Sequence, residues 1–208
     1  NMPWDSSELW VADVLEDGSL GDKRLVAGGP GESIFQPEWS DEGLLHFVSD
    51  RSGWWNLYRW RDGKAEALFE MEAEFGLPQW IFGMSSYGFG SCNRIVCAYI
   101  EKGFSKLVIL DAETRRLETI DSPYTRIEDI HVHSVRAVFI AGSPTMPASI
   151  LSFDLSTRKF ETMKRSTELA IDPGYVSPPQ AIEFQTDGGL IAHAFFYPPQ
   201  NKDFSAPA

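Results

Sequence analysis

Pro37-Glu38-Trp39-Ser40-Asp41-Glu42-Gly43-Leu44-Leu45-His46-Phe47-Val48-Ser49-Asp50-Arg51-Ser52-Gly53-Trp54-Trp55-Asn56-Leu57-Tyr58-Arg59-Trp60 decides how this chain folds. It alternates short apolar runs with Asp-, Ser- and Gly-bearing turns, so it reads as strand, turn, strand, turn, strand with almost no slack. The runs are apolar on both faces rather than alternating cleanly. That pattern suits a sheet sandwiched between two neighbouring sheets.

The stretch is one copy of a repeat. Leu9-Trp10-Val11, Leu57-Tyr58-Arg59, Leu107-Val108-Ile109 and Ile150-Leu151-Ser152 recur with a period of roughly 40 to 50 residues, which is the spacing of propeller blades. Each triad leads through a polar turn into a second short strand, as in Asp111-Ala112-Glu113-Thr114 before Leu117 to Ile120. Another apolar strand precedes each of the later triads, at Leu44 to Val48, Ile95 to Ile100 and Val135 to Ala141. Pro37-Glu38-Trp39 is echoed by Pro78-Gln79-Trp80, and both are assigned to the beginning of an innermost strand, a slot that Ile127 to Ile130 fills later. Phe75 to Asn93, with four Gly, reads as an irregular strand with a Gly-rich loop. Pro and Gly leave few uninterrupted windows for helices. The fold class is therefore all-β: a partial β-propeller of four-stranded antiparallel blades, about three to four in number.

Residues 1–170 are assigned to the propeller, with blade boundaries near 30, 75 and 124. A Pro-rich linker over residues 171–179 is expected to be extended. In residues 180–208, Gln180 to Thr186 and Leu190 to Tyr197 flank Asp187-Gly188-Gly189, a β-hairpin that is marginal alone. The sequence reads as a piece cut from a longer protein.

The formal charge of −12, with 18 Lys and Arg scattered along the chain, opposes phosphate binding and argues against nucleic acid as a partner. No apolar run reaches the roughly 20 residues of a membrane-spanning helix, and no membrane association is expected. Cys92 and Cys97 flank a strand and are read as ordinary thiols, which points to a reducing, cytoplasmic compartment.

The pattern Pro37-x-Trp39-Ser40-x-x-Gly43-x-Leu45-x-Phe47-x-Ser49-Asp50-Arg51-x-Gly53-x-x-Asn56-Leu57-Tyr58 resembles the propeller blades of the prolyl oligopeptidase family, in its acylaminoacyl-peptidase and dipeptidyl-aminopeptidase-like branch. Pro179-x-x-Ile182-x-Phe184-x-Thr186-x-x-Gly189, running on to Tyr197-x-Pro199, is similar to the segment by which that family leaves the propeller for its α/β-hydrolase domain. The resemblance implies a serine peptidase acting on short peptides, whose propeller gates access to a Ser-Asp-His site on the hydrolase domain. It implies no cofactor. A nucleophile elbow needs Gly-x-Ser-x-Gly, and the nearest approach, Gly83-Met84-Ser85-Ser86-Tyr87, fails at Tyr87. Gly28-Gly29-Pro30-Gly31 is similar to an oxyanion loop but lacks the preceding His, and is read as an inter-blade turn. The piece is thus expected to be inactive alone, to meet peptide substrate only as part of its parent, and to self-associate through uncovered sheet faces. The rival reading is a Tol-Pal-type protein-binding propeller without enzymatic activity, which would not require the hairpin at Gln180 to Tyr197. WD-type repeats do not fit, because no Gly-His and Trp-Asp pair marks the period.

No residue is nominated as catalytic, cofactor-binding or metal-ligating. His131 and His133 share a strand face but lack a third ligand, and His46 and His193 are read as packed or surface histidines. Asp50 and Arg51 are assigned a structural role, Asp50 taking backbone hydrogen bonds and Arg51 pairing with a neighbouring blade. Trp54 and Trp55 are assigned to the core. Glu32 and Glu38 stand near an innermost strand, where some relatives hold a peptide amino terminus; they are not nominated.

Overall fold

The structure, a computed structural model, describes residues 2–204. A strand pair, β1 (Glu8–Val11) with β2 (Arg24–Gly28), opens the chain. The first four-stranded blade comes next, β3 (Ile34–Trp39), β4 (Leu45–Ser49), β5 (Asn56–Arg61) and β6 (Lys64–Phe69). The second comprises β7 (Tyr87–Gly90), β8 (Arg94–Glu101), β9 (Phe104–Asp111) and β10 (Leu117–Thr119). The third comprises β11 (Arg126–His133), β12 (Arg136–Ser143), β13 (Met146–Asp154) and β14 (Lys159–Arg165). All three are antiparallel meanders whose spatial order follows the sequence. The hairpin of β15 (Gln180–Gln185) and β16 (Ile191–Phe196) comes last. Among the described residues there is no α-helix, only 3-10 turns at Pro173–Tyr175 and Asp187–Gly189.

Burial on both faces explains the sequence pattern. Along β8, Ile95, Cys97 and Tyr99 enter the core shared with the first blade, where Phe35, Val48, Leu57 and Phe75 meet them. Their neighbours Val96 and Ala98 enter the core shared with the third blade, against Ile130, Phe139, Leu151 and Phe153. The period-2 geometry of a strand sends successive side chains into different cores, so neither face can be polar. The other face of the first blade, through Phe47 and Tyr58, packs on Ala27 and Leu9 of the β1–β2 pair. The pair is thus seated on the first blade as blades are seated on each other.

Turn chemistry repeats as well. Asp111 Oδ1 accepts from the Glu113 and Thr114 amides at 3.1 and 2.7 Å. Asp154 Oδ1 accepts from the Ser156 and Thr157 amides at 2.9 and 2.7 Å. In both turns the Arg after the Thr, Arg115 or Arg158, takes positive φ. Asp-x-x-Thr-Arg is therefore one turn used in two blades.

Three expectations need correction. Pro37-Glu38-Trp39 lies at the end of innermost strand β3, not its beginning, and Pro78-Gln79-Trp80 is loop, since β7 starts only at Tyr87. Pro37 is tolerated because β3 is an edge strand, and the register with β4 shifts between Phe35 and Glu38. The segment 171–179 is not extended throughout: the Asp172 carboxylate accepts from the Gly174 amide and closes the 3-10 turn at Pro173–Tyr175. Trp54 is 39% exposed, whereas Trp55 packs against the core.

Candidate functional site

The innermost strands β3, β7 and β11 belong to three different sheets, so no ladder hydrogen bonds join them. Side chains do so instead, centred on Gln36, which is buried and takes φ 47. Its amide nitrogen reaches the Tyr87 carbonyl at 2.8 Å, Ser85 Oγ at 2.9 Å and the Glu38 carboxylate at 3.0 Å. Its amide oxygen accepts from the Ser86 backbone N–H at 2.7 Å. Tyr87 Oη donates back to the Gln36 carbonyl at 2.7 Å, and Ser85 Oγ donates onward to the Ile130 carbonyl at 2.7 Å. This network laces the strands that flank the propeller axis. Burial, reinforced by the Glu38 charge, pushes the Tyr87 hydroxyl well above its usual range, so it stays a donor.

The same contacts define the role of Ser85. It is buried, and its partners are an amide and backbone carbonyls, so no base activates it as a nucleophile. In the Gly28 to Gly31 segment, Gly28, Gly29 and Gly31 all take positive φ. A Cβ on Gly28 would fall 2.1 Å from the Ser7 carbonyl oxygen, so the glycine there serves close packing of β2 on β1.

The hairpin sits over one face of the propeller. Phe195 stacks at 5.1 Å from Phe104, and Lys102 pairs with Glu183 at 3.4 Å. A cavity of about 1010 Å³ lies between, lined by Trp54, Glu72, Glu74, Glu101, Glu183 and His193 among others. His193 Nδ1 is 3.6 Å from Glu183, and its exposed side chain has carboxylate company but no serine partner among the described residues.

The remaining candidates divide between structure and surface. Glu32 accepts from Ser49 Oγ at 2.6 Å and from Arg51 Nη2 at 2.7 Å, while the Arg51 guanidinium lies 5.0 Å from the Tyr58 ring. Arg51 thus pairs within its own blade rather than with a neighbour. Asp50 accepts from the Ser33 amide at 2.7 Å. His131 and His133 are exposed, and no group of three metal-ligating side chains occurs among the described residues. Cys92 is exposed and Cys97 buried, both free thiols. On the face away from the hairpin, buried His46 and Arg59 line a cleft of about 120 Å³ between the first two blades. Arg59 Nη1 reaches Glu113 of the second blade at 2.6 Å, and His46 packs at 4.9 Å on Phe89. Burial lowers the His46 pKa to about 4, so the ring is neutral at pH 7. The lacing by Gln36 was invisible to sequence reasoning, because a lone Gln beside a strand carries no pattern.

No family model matches the chain, and no curated protein does. Solved structures do. The chain is similar to a puromycin-hydrolyzing peptidase from Mycobacterium tuberculosis, at 33% identity and a TM-score of 0.92, over 100% of this chain and 32% of that one. It is similar to a puromycin hydrolase at 36% identity and a TM-score of 0.90, again over 100% of this chain and 32% of that one. Prolyl oligopeptidase B from Galerina marginata shares the fold at 12% identity and a TM-score of 0.70, over 93% of this chain and 27% of that one. The chain therefore spans about a third of the length of the peptidases it matches.

Proposed function

Since the chain belongs to the propeller region of the prolyl oligopeptidase family, we propose that it is the non-catalytic part of a serine peptidase acting on short peptides and aminoacyl amides. In this reading the propeller gates entry of substrate to a Ser-Asp-His site carried on an α/β-hydrolase domain, towards which the β15–β16 hairpin leads. The observation that carries it is the match along the whole chain to two puromycin-cleaving peptidases at 33% and 36% identity. The axial lacing supports it, since a gate must hold its inner strands apart at a fixed spacing while the outer strands carry the packing. The free thiols Cys92 and Cys97 support a reducing, cytoplasmic setting.

The test compares two proteins, the 208-residue chain and the complete peptidase that contains it. The complete enzyme is expected to cleave aminoacyl p-nitroanilides and puromycin and to be silenced by a serine-directed phosphonate. The 208-residue chain is expected to cleave neither. Phosphonate-sensitive turnover by the short chain, or no turnover by the complete one, would overturn the proposal.

A further inference from the structure

The loop from Gly76 to Ser86 joins outermost strand β6 to innermost strand β7 and displays Trp80, Ile81 and Phe82 at 72%, 70% and 106% exposure. Three consecutive large apolar residues facing water are costly and mark an unsatisfied contact. Both ends of this loop are anchored at the axis. Gln79 Nε2 donates to the carbonyl of Ile34, the first residue of β3, at 2.8 Å. Further along, Ser85 enters the Gln36 network. The tip is thus strung between the heads of two innermost strands, at the mouth of the axial channel. Trp80 is steadied by Trp4, with ring centroids 4.5 Å apart, which leaves Ile81 and Phe82 projecting beyond it.

The loop lies on the hairpin face. The hairpin covers the β8–β9 turn through Gly103 and Phe104, and borders the β12–β13 turn through a second cavity lined by Ser143, Met146, Phe195 and Tyr197. Those turns lie out along the blades, away from the axis. A domain continuing from the hairpin would therefore be seated over the mid-blade turns, leaving the axial mouth open for substrate.

Resting on the peptidase reading above, we infer that Trp80, Ile81 and Phe82 form the propeller's wall of a substrate side-chain pocket that favours large apolar, above all aromatic, residues. Flat aromatic faces with few rotamers suit such a wall, because little entropy is lost when a second ring stacks on them. The nearby carboxylate of Glu38 adds an acidic edge, compatible with a substrate that carries a free amino group.

The experiment uses the complete peptidase and measures kcat/KM on phenylalanyl and alanyl p-nitroanilides for the wild type, Phe82→Ala and Phe82→Leu. The Phe82 side chain is fully exposed, so folding is not at stake. Phe82→Ala is expected to cut the Phe-over-Ala preference about tenfold, and Phe82→Leu to restore most of it. An active wild type whose preference is unmoved by Phe82→Ala overturns the inference alone. If that variant keeps the preference but lowers the melting temperature, the inference is likewise overturned, and the loop is covered by the rest of the enzyme instead. A wild type idle on both substrates overturns the peptidase reading, and this inference with it.

Discussion

Gln36 holds the left-handed backbone that its φ of 47 requires, in a strand where almost any other residue would be paired regularly. Its side chain alone satisfies the buried Ser86 N–H. Gln36→Ala is therefore expected to cost roughly 1–3 kcal/mol for each buried group left unpaired, read as a lower urea midpoint with an unchanged slope. His46 makes the second case. Burial lowers its folded pKa to about 4, against 6.5 for the free side chain, with the Leu44 carbonyl opposing and Arg59 and Arg61 adding to the fall. Between those values the unfolded chain takes a proton that the folded chain refuses, so stability drops as pH falls from about 6.5 to about 4 and levels off below. The shift is worth about 3 kcal/mol. His46→Gln should lack this segment of the pH–stability curve; a variant curve that parallels the wild type between about pH 7 and 4 contradicts the assignment. Neither role was legible in the sequence, which places Gln36 and His46 beside strands. Their partners lie one blade away, in a direction that strand periodicity does not encode.

At the scale of elements, the strands themselves were readable, because each blade repeats its apolar triad and its turn at nearly fixed spacing. Asp-x-x-Thr-Arg shows why: one carboxylate takes two backbone amides, a local device with a local signature. The Pro-x-Trp echo failed for the opposite reason. Trp39 ends a strand at 56% exposure and Trp80 sits in a loop at 72%, so both face solvent and neither fixes a register. The seating of the hairpin depends on Gly103, whose φ is +81 and where a Cβ would fall 2.4 Å from Phe195 Cζ. Gly103→Ala is expected to loosen the hairpin, with faster amide exchange in β15 and β16 and unchanged protection in β8 and β12. Protection lost evenly across all blades would mean that the turn, not the hairpin, was what the glycine served.

For the whole molecule, the outer faces matter most. The β1–β2 pair presents Trp10 and Leu25 at 49% exposure each, beside Leu20 at 60%. The third blade presents Ile150 at 42% and Met163 at 57%. Sheet faces of this kind are buried between blades elsewhere in the chain, so the 208-residue protein is expected to associate with itself. Light scattering should give at least a dimer at micromolar concentration, and Trp10→Lys should shift it towards monomer; a clean monomeric wild type would refute this.

The middle blade has a consequence for how such a protein changes over generations. Along β8, Ile95, Cys97 and Tyr99 answer to the blade before, while Val96 and Ala98 answer to the blade after. A single strand thus carries two interleaved records, each written by a different neighbour. Substitutions at odd positions would be compensated in β4 and β5, those at even positions in β12 and β13. A blade copied or deleted between them would leave both records without their correspondents, and each surviving face would have to learn a new one.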